Sequence, residues 1–268
     1  MRSRWIRQSR LRDNPLARVV RSQVDCVRLW THCILGSMGT EGLVLTGKHI
    51  RLEPLEYRHV EGLVAASATD ASLYQWSPVP RGKVEATSYV DTALASRDAG
   101  SAVSFAIVRL NDRLNDGIDA GVDDGVVLGS TRFFNLERWS WPKGHPRHGR
   151  HDPDVCEIGY TWLARSAIRT AANTEAKVLM LTHAFETWQV VGVCFHTDAR
   201  NQRSRTALER IGGKFDGILR AHRMAADYTA RDSVRYSIVA AEWPAVKQQL
   251  SRFLSQAQPP FAAKHDDR

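Results

Sequence analysis

Three groups of residues in the second half of this chain have types and spacings suited to chemistry. Glu157 is the one acid within Cys156–Leu163, an apolar run that reads as a strand. A carboxylate on a strand beside a pocket can act as a base toward an amine; the plainer reading is an ordinary edge or ion-paired Glu. Small and polar residues from Ile168 to Thr174 open an amphipathic helix whose inner face is expected to be Val178, Leu181, Phe185 and Trp188. The first N–H groups of a helix have no partners within it, and the helix dipole adds partial positive charge there. Such a start suits a phosphorylated ligand. The third group, DARNQRS (Asp198–Ser204), links a strand to a second helix. Asn201 offers an amide donor and acceptor, Ser204 a hydroxyl, and Arg203 and Arg205 charge compatible with phosphate. Capping and surface charge are the plain readings of that third group, and surface charge is preferred for Arg205.

These groups need a scaffold, and the rest of the chain reads as one. His49–Leu55, Ser101–Leu110 and Val126–Leu136 alternate as strands, as do Phe215–Met224 and Asp232–Ala240 near the end. Apolar residues at helical spacing mark Arg58–Ser67, Val84–Ala99 and Trp243–Leu254, the last with Pro244 suited to a first turn. Tyr74–Pro80, with two prolines and two aromatics, reads as a loop. Asn111–Gly125 is rich in Asp, Asn and Gly, but its spacing does not match a calcium loop, so a long hairpin connection is expected. Glu137–Asp154 carries His145, His148 and His151 beside Asp152 and Asp154. A metal site needs ligands fixed in space, and a segment full of Pro and Gly offers nothing to fix them. The expected role is a mobile substrate loop using Trp139 and Trp141, with no metal.

Length and charge set bounds. The chain has 268 residues, 43% apolar and 25% charged, which is ordinary for a globular protein. The net charge of +8 is uneven. Residues 1–37 hold eight Arg and two Asp, with no Lys or Glu, for +6, leaving only +2 for residues 38–268. A general nucleic-acid role therefore loses most of its support, except through the basic arm. That arm has the composition of an organelle presequence, but a disordered extension is the preferred reading. The expected organisation is an extension over 1–37, a single domain over 38–256 and a frayed tail over 257–268. Four Cys without a CxxC pair suggest a reducing compartment, and the cytoplasm is expected. No apolar run approaches the roughly 18–20 residues of a membrane span, and no secretory signal opens the chain.

Five short motifs add a resemblance. They are EIGYTWLA (Glu157–Ala164), NTEAK (Asn173–Lys177), TDARNQRS (Thr197–Ser204), LERIGG (Leu208–Gly213) and DSVRYSIVAAEW (Asp232–Trp243). In this order and spacing, residues 48–243 resemble the GCN5-related N-acetyltransferase superfamily, and within it the group containing the ribosomal-protein N-terminal acetyltransferases. The resemblance implies an α/β fold whose mixed central sheet is flanked by helices. The sheet would splay at a cofactor cleft, between the strand of Glu157 and the strand Cys194–Asp198. It implies acetyl-CoA as cosubstrate and direct transfer of an acetyl group to a primary amine in a ternary complex, without metal. Backbone groups near Trp162 and Leu163 would hold the pantetheine arm, with Asn201 on its side. N–H groups across Arg169, Thr170, Ala171, Ala172, Asn173 and Thr174 would hold the pyrophosphate.

The same resemblance assigns Glu157 as general base. It assigns Ser204 as the acid, because Leu208 stands where many members carry Tyr. Two positions depart from the family pattern: Ile168 in place of Gln or Arg, and Ala171 in place of Gly. A left-handed backbone at Ala171 would cost about 1–2 kcal/mol, or about tenfold in affinity. A protein N-terminus is the acceptor favoured by analogy. A small-molecule amine, or a catalytically weak acyl-CoA-binding domain, is the alternative. Acceptor walls are expected at Tyr74–Pro80, Glu137–Asp154 and the turn after Met224, and the closing strands with the Trp243 helix could pair two copies.

Overall fold

Alternating and apolar runs assemble one sheet of eight strands: β1 (Leu45–Thr46), β2 (Ile50–Pro54), β3 (Ala102–Arg109), β4 (Val127–Glu137), β5 (Val155–Leu163), β6 (Gly192–Asp198), β7 (Lys214–Met224) and β8 (Ala230–Val239). The computed structural model describes residues 42–68, 71–110, 125–225 and 228–256. The expectations for residues 1–37, 111–124 and 257–268 lie outside them. Strand order is β1-β2-β3-β4-β5-β6-β8-β7. Every neighbouring pair is antiparallel except β5 and β6. That pair is parallel because a helix connects it, as a parallel crossover requires.

The parallel ladder is short. It joins Val155 to Gly192, Cys156 to Val193 and Glu157 to Cys194, then ends. Beyond Glu157, β5 stays with β4 as far as Leu163, and β6 stays with β8 as far as Asp198. Each strand thus follows a different neighbour, and the sheet opens between them. The mixed, splayed α/β fold expected from the sequence is the one observed.

Helices cover both faces. On one side α1 (Val60–Ser67) and α2 (Gly82–Asp98) pack through Leu63, Ala86 and Val90 against Ala106 and Val108 of β3. On the other, α3 (Ala172–Thr182) and α5 (Trp243–Gln256) join Phe105, Ile107 and Phe133 in the larger core. Strand β3 feeds both cores with alternate residues, which is why it reads as a continuous apolar run. A further helix, α4 (Gln202–Arg210), follows β6. Among the described residues no helix is long and apolar enough to cross a membrane.

Helix α3 and the turn after it bring the expected Leu181, Phe185 and Trp188 into the core. Ala172, Ala176, Met180 and Leu181 are buried, while Val178 is only half-buried. Small alanines let the helix lie close to the sheet. Buried Glu175 fixes its first turn by accepting the N–H groups of Lys48, His49 (3.0 Å) and Ile50 (3.1 Å). A π-helical turn over His183–Thr187 carries Phe185 onto Trp243, with stacked rings 5.4 Å apart.

The segment before β5 departs from expectation. Buried Asp154 accepts the Trp139 N–H (2.8 Å), the Trp141 indole N–H (2.9 Å) and Arg147 (3.1 Å). Arg147 and Arg150 then donate to the carbonyls of Gln189 and Trp188 at 2.7 and 2.8 Å. His145 stacks on Trp141, and its Nδ1 accepts the Arg147 N–H. His148 meets the Trp141 carbonyl at 2.7 Å. The segment that looked unfixed is tied down at both ends, and His145 and His148 serve its own packing.

Candidate functional site

Beyond Glu157 the diverging strands leave a cleft of about 2090 Å³. Ten of the eleven candidate residues line it: Glu157, Trp162, Leu163, Arg169, Thr170, Ala171, Asn173, Thr174, Asn201 and Ser204. Ala172 does not; it is fully buried. Residues 138–154 do not line it either, so the expected substrate loop stands apart from the cleft.

One end of the cleft is the start of α3. The left-handed step there falls on Arg169 (φ 62°), while Ala171 is right-handed (φ −64°, ψ −20°). Ala171 therefore bears none of the strain that a missing glycine suggests. As the N-cap residue, Ala171 has no side chain to cap the helix. Thr170 Oγ1 takes the Ala172 N–H at 3.2 Å, which leaves those of Asn173 and Thr174 without a protein partner among the described residues. The exposed Arg169 guanidinium likewise has none. Arg210 of α4 donates to Thr174 Oγ1 at 2.9 Å and brings a second guanidinium to the same turn. Free N–H groups, helix dipole and two cations make an anion cradle.

The middle of the cleft is shaped by a bulge in β5. Tyr160 and Thr161 together oppose Thr131, and Tyr160 is left-handed (φ 50°). Arg132, buried beneath, lies 4.2 Å from the Tyr160 ring centre, and Phe134 meets the same ring edge-on at 5.1 Å. A Cβ on Gly129 would stand 2.0 Å from the Trp162 carbonyl oxygen, so only glycine lets β4 approach here. Tyr74 donates its hydroxyl to the Leu163 carbonyl at 2.9 Å. Lys177 reaches in from α3 and donates to Thr161 Oγ1 (2.7 Å), which in turn meets Thr131 Oγ1 (2.8 Å). Burial pushes the Lys177 ammonium down to about 7.

At the other end stands Glu157, 3% exposed. Its Oε2 accepts Asn135 Nδ2 (2.8 Å) and Arg223 Nη2 (3.2 Å). Its Oε1 lies 2.9 Å from His196 Nδ1, at an angle that does not make a hydrogen bond. The carboxylate is thus both pocket-side and ion-paired, joining the two readings its sequence position allowed. His196 faces His222 with ring centres 4.9 Å apart, and burial, followed by Arg223, pushes the His222 imidazole down. Asn201 caps α4 by accepting the Ser204 N–H at 3.0 Å, as the plain reading expected. The half-buried Ser204 lines the cleft, while Arg203 donates to the Leu73 carbonyl at 2.7 Å.

Sequence reasoning passed over Lys177, His196, Arg223 and Arg231. A signal existed for Lys177, which lies three residues after Thr174 and four before Leu181, on one helical face. His196 follows by alternation once Cys194 is known to pair with Glu157. Nothing in the sequence pointed to the two arginines.

Residues 49–214 match the family model described as an acetyltransferase (GNAT) domain. The chain belongs to the GNAT acetyltransferase family. No curated protein matches it. Among solved structures it is similar to a GCN5-related N-acetyltransferase from Brucella melitensis, 24% identical over 80% of this chain and 86% of that one, with a TM-score of 0.63. A structure from T. thermophilus is 29% identical over 79% of this chain and 96% of that one, with a TM-score of 0.60. RimJ from Mycobacterium smegmatis, solved in complex with CoA-disulfide, is 20% identical over 79% and 93%, with a TM-score of 0.59. The splayed sheet and the open helix start are thus features of a GNAT chain, and acetyl transfer is its general chemistry.

Proposed function

We propose that this chain is an acetyl-CoA-dependent N-acetyltransferase that moves an acetyl group to a primary amine by direct transfer in a ternary complex. The observation that carries the reading is a single cleft joining an uncapped helix start to a buried carboxylate at the fork of the sheet. The residues fit CoA. Partnerless N–H groups and the free Arg169 suit its phosphates, and the open β5–β6 fork suits its narrow arm.

When bound, acetyl-CoA supplies an acetyl group activated as a thioester. The N–H groups of Asn173 and Thr174, with Arg169 and Thr170, hold the pyrophosphate, and the small side chain of Ala171 allows its close approach. Backbone groups of Trp162 and Leu163, with Asn201, hold the pantetheine side. Glu157 takes the proton that the acceptor amine must lose. Ser204 Oγ supplies the proton for the leaving group. Positioning contributes the larger share of the rate.

Shared motifs with the ribosomal-protein acetyltransferase group favour a protein N-terminus as acceptor, with a small-molecule amine as the alternative outcome of an acceptor screen. Buried free Cys156 and Cys194 support a reducing, cytoplasmic setting. One observation favours a catalytically weak acyl-CoA-binding domain instead: both Glu157 oxygens already have close neighbours. Calorimetry with acetyl-CoA tests the cofactor, and no binding at millimolar concentration overturns both readings. Glu157→Gln is expected to lower turnover by about 10²–10⁴-fold with acetyl-CoA affinity nearly intact. Unchanged turnover removes Glu157 as the base.

A further inference from the structure

On the Glu157 side of the cleft the charges nearly pair off, and one does not. Arg223 donates to Glu157 at 3.2 Å. Arg200 grips both oxygens of Asp198 at 2.9 and 2.8 Å. Arg231, half-buried in the cleft wall, donates its Nε to the neutral Ser233 hydroxyl at 3.1 Å and, among the described residues, has no carboxylate at ion-pair distance. Burial pushes its pKa down, yet a guanidinium remains charged. The charged or ionisable groups acting most on it are Asp198, Arg223, Glu157 and Tyr160, so it belongs to the base's end of the cleft. The phosphate cradle at α3 has its own cations and open N–H groups. Among the described residues, Arg223, Arg200 and Arg231 stand against Glu157 and Asp198 at this end, which leaves one positive charge in excess. A partly desolvated cation without a counter-ion is costly to keep unless a ligand supplies the anion.

We propose that Arg231, flanked by Arg223, selects an acceptor amine that also carries a carboxylate. This rests on the acetyltransferase reading with Glu157 as base. The amine goes to Glu157, and the carboxylate meets the free Nη groups of Arg231 as a charge-assisted, bidentate pair. The same chemistry is offered by a peptide whose leading residues include an acidic side chain and by a free amino acid.

The test uses the full chain saturated with CoA and two acid–amide pairs. A peptide beginning Ser-Glu is set against one beginning Ser-Gln, and serine against serinamide. Equilibrium binding is read by calorimetry, and kcat/KM is read with acetyl-CoA. The acid member of one pair is expected to bind about ten- to a hundredfold tighter than its amide; which pair shows the preference identifies the source. Arg231→Gln removes that preference, and Arg231→Lys, which keeps the charge but not the fork, reduces it severalfold. Equal binding within both pairs overturns the proposal. So does a preference undiminished in either variant; circular dichroism checks that each is folded, and where one is not, the other alone decides. Loss of acetyl-CoA binding by the unaltered chain overturns the underlying reading instead.

Discussion

Two irregular segments flank β5, residues 138–154 before it and 164–171 after it, and they use their polar groups in opposite ways. In the first, Asp154 gathers two N–H donors and a guanidinium, and two arginines reach on to backbone carbonyls. In the second, Arg169 has no partner among the described residues and the helix it leads into starts without a side-chain cap on its N-cap residue. Buried polar groups must be satisfied, so a segment that satisfies them internally holds its own shape. A segment that leaves donors open beside a cleft is shaped for a ligand. The sequence suggested a ligand-facing role for both segments, and the destination of each N–H separates them.

The largest predicted effect breaks the closed segment. Asp154→Ala leaves the Trp139 N–H, the Trp141 indole and Arg147 without their shared acceptor. Loss of one partner from such a buried set costs about 3–5 kcal/mol, read by chemical denaturation, with acetyl-CoA affinity unchanged. Acid titration sharpens the point. Burial alone would raise the Asp154 pKa, but the Trp139, Trp141 and Arg147 donors outweigh it and hold the carboxyl below its ordinary value. A depressed folded pKa means stabilisation that is full above the unfolded value of about 3.9 and lost as pH falls through the folded one. The gap between the protein and Asp154→Ala therefore narrows between pH 5 and pH 2, roughly the span over which such a carboxyl titrates. A constant gap would mean that Asp154 does not hold the segment through its charge.

Next in size is an effect with two signs. Arg169→Gly removes a free cation from the helix start and is expected to weaken acetyl-CoA binding by about tenfold, the value of one charge-assisted contact. It also relieves a left-handed arginine, so stability should rise by about 0.5 kcal/mol after the added glycine's entropy. Loss of both stability and affinity would show that the open segment is structural like the other.

How legible these features were depended on range. The order of elements was readable because each rests on local periodicity. The fork was readable only through the likeness of EIGYTWLA and TDARNQRS to a known family, since no local pattern says that β5 and β6 part after Glu157. Glu157, Asn201 and Ser204 stood out by type. Arg223 and Arg231 did not, because they reach the site through the β7–β8 pairing, 66 and 74 positions along the chain from Glu157. The left-handed step was misjudged for a related reason. A family position names where a glycine usually sits, whereas the backbone here makes its turn two residues earlier, at Arg169.

Ala171→Gly gives the smallest predicted effect and the finest test of that displacement. With φ at −64° and ψ at −20°, Ala171 sits where an L-residue is at ease, so glycine relieves nothing. Glycine adds freedom to the unfolded chain and removes a buried methyl, both unfavourable, while it is the better residue at an N-cap. These terms offset to within about 0.5 kcal/mol, and acetyl-CoA affinity should stay within about twofold, as for any change below RT ln 2 to 3. The N–H groups of Asn173 and Thr174 keep their direction as long as the helix starts where it does. A tenfold gain in affinity would mean that ligand binding moves the left-handed step onto this position. The open segment would then be one that changes shape, and the contrast with the closed one would concern motion as well as hydrogen bonds.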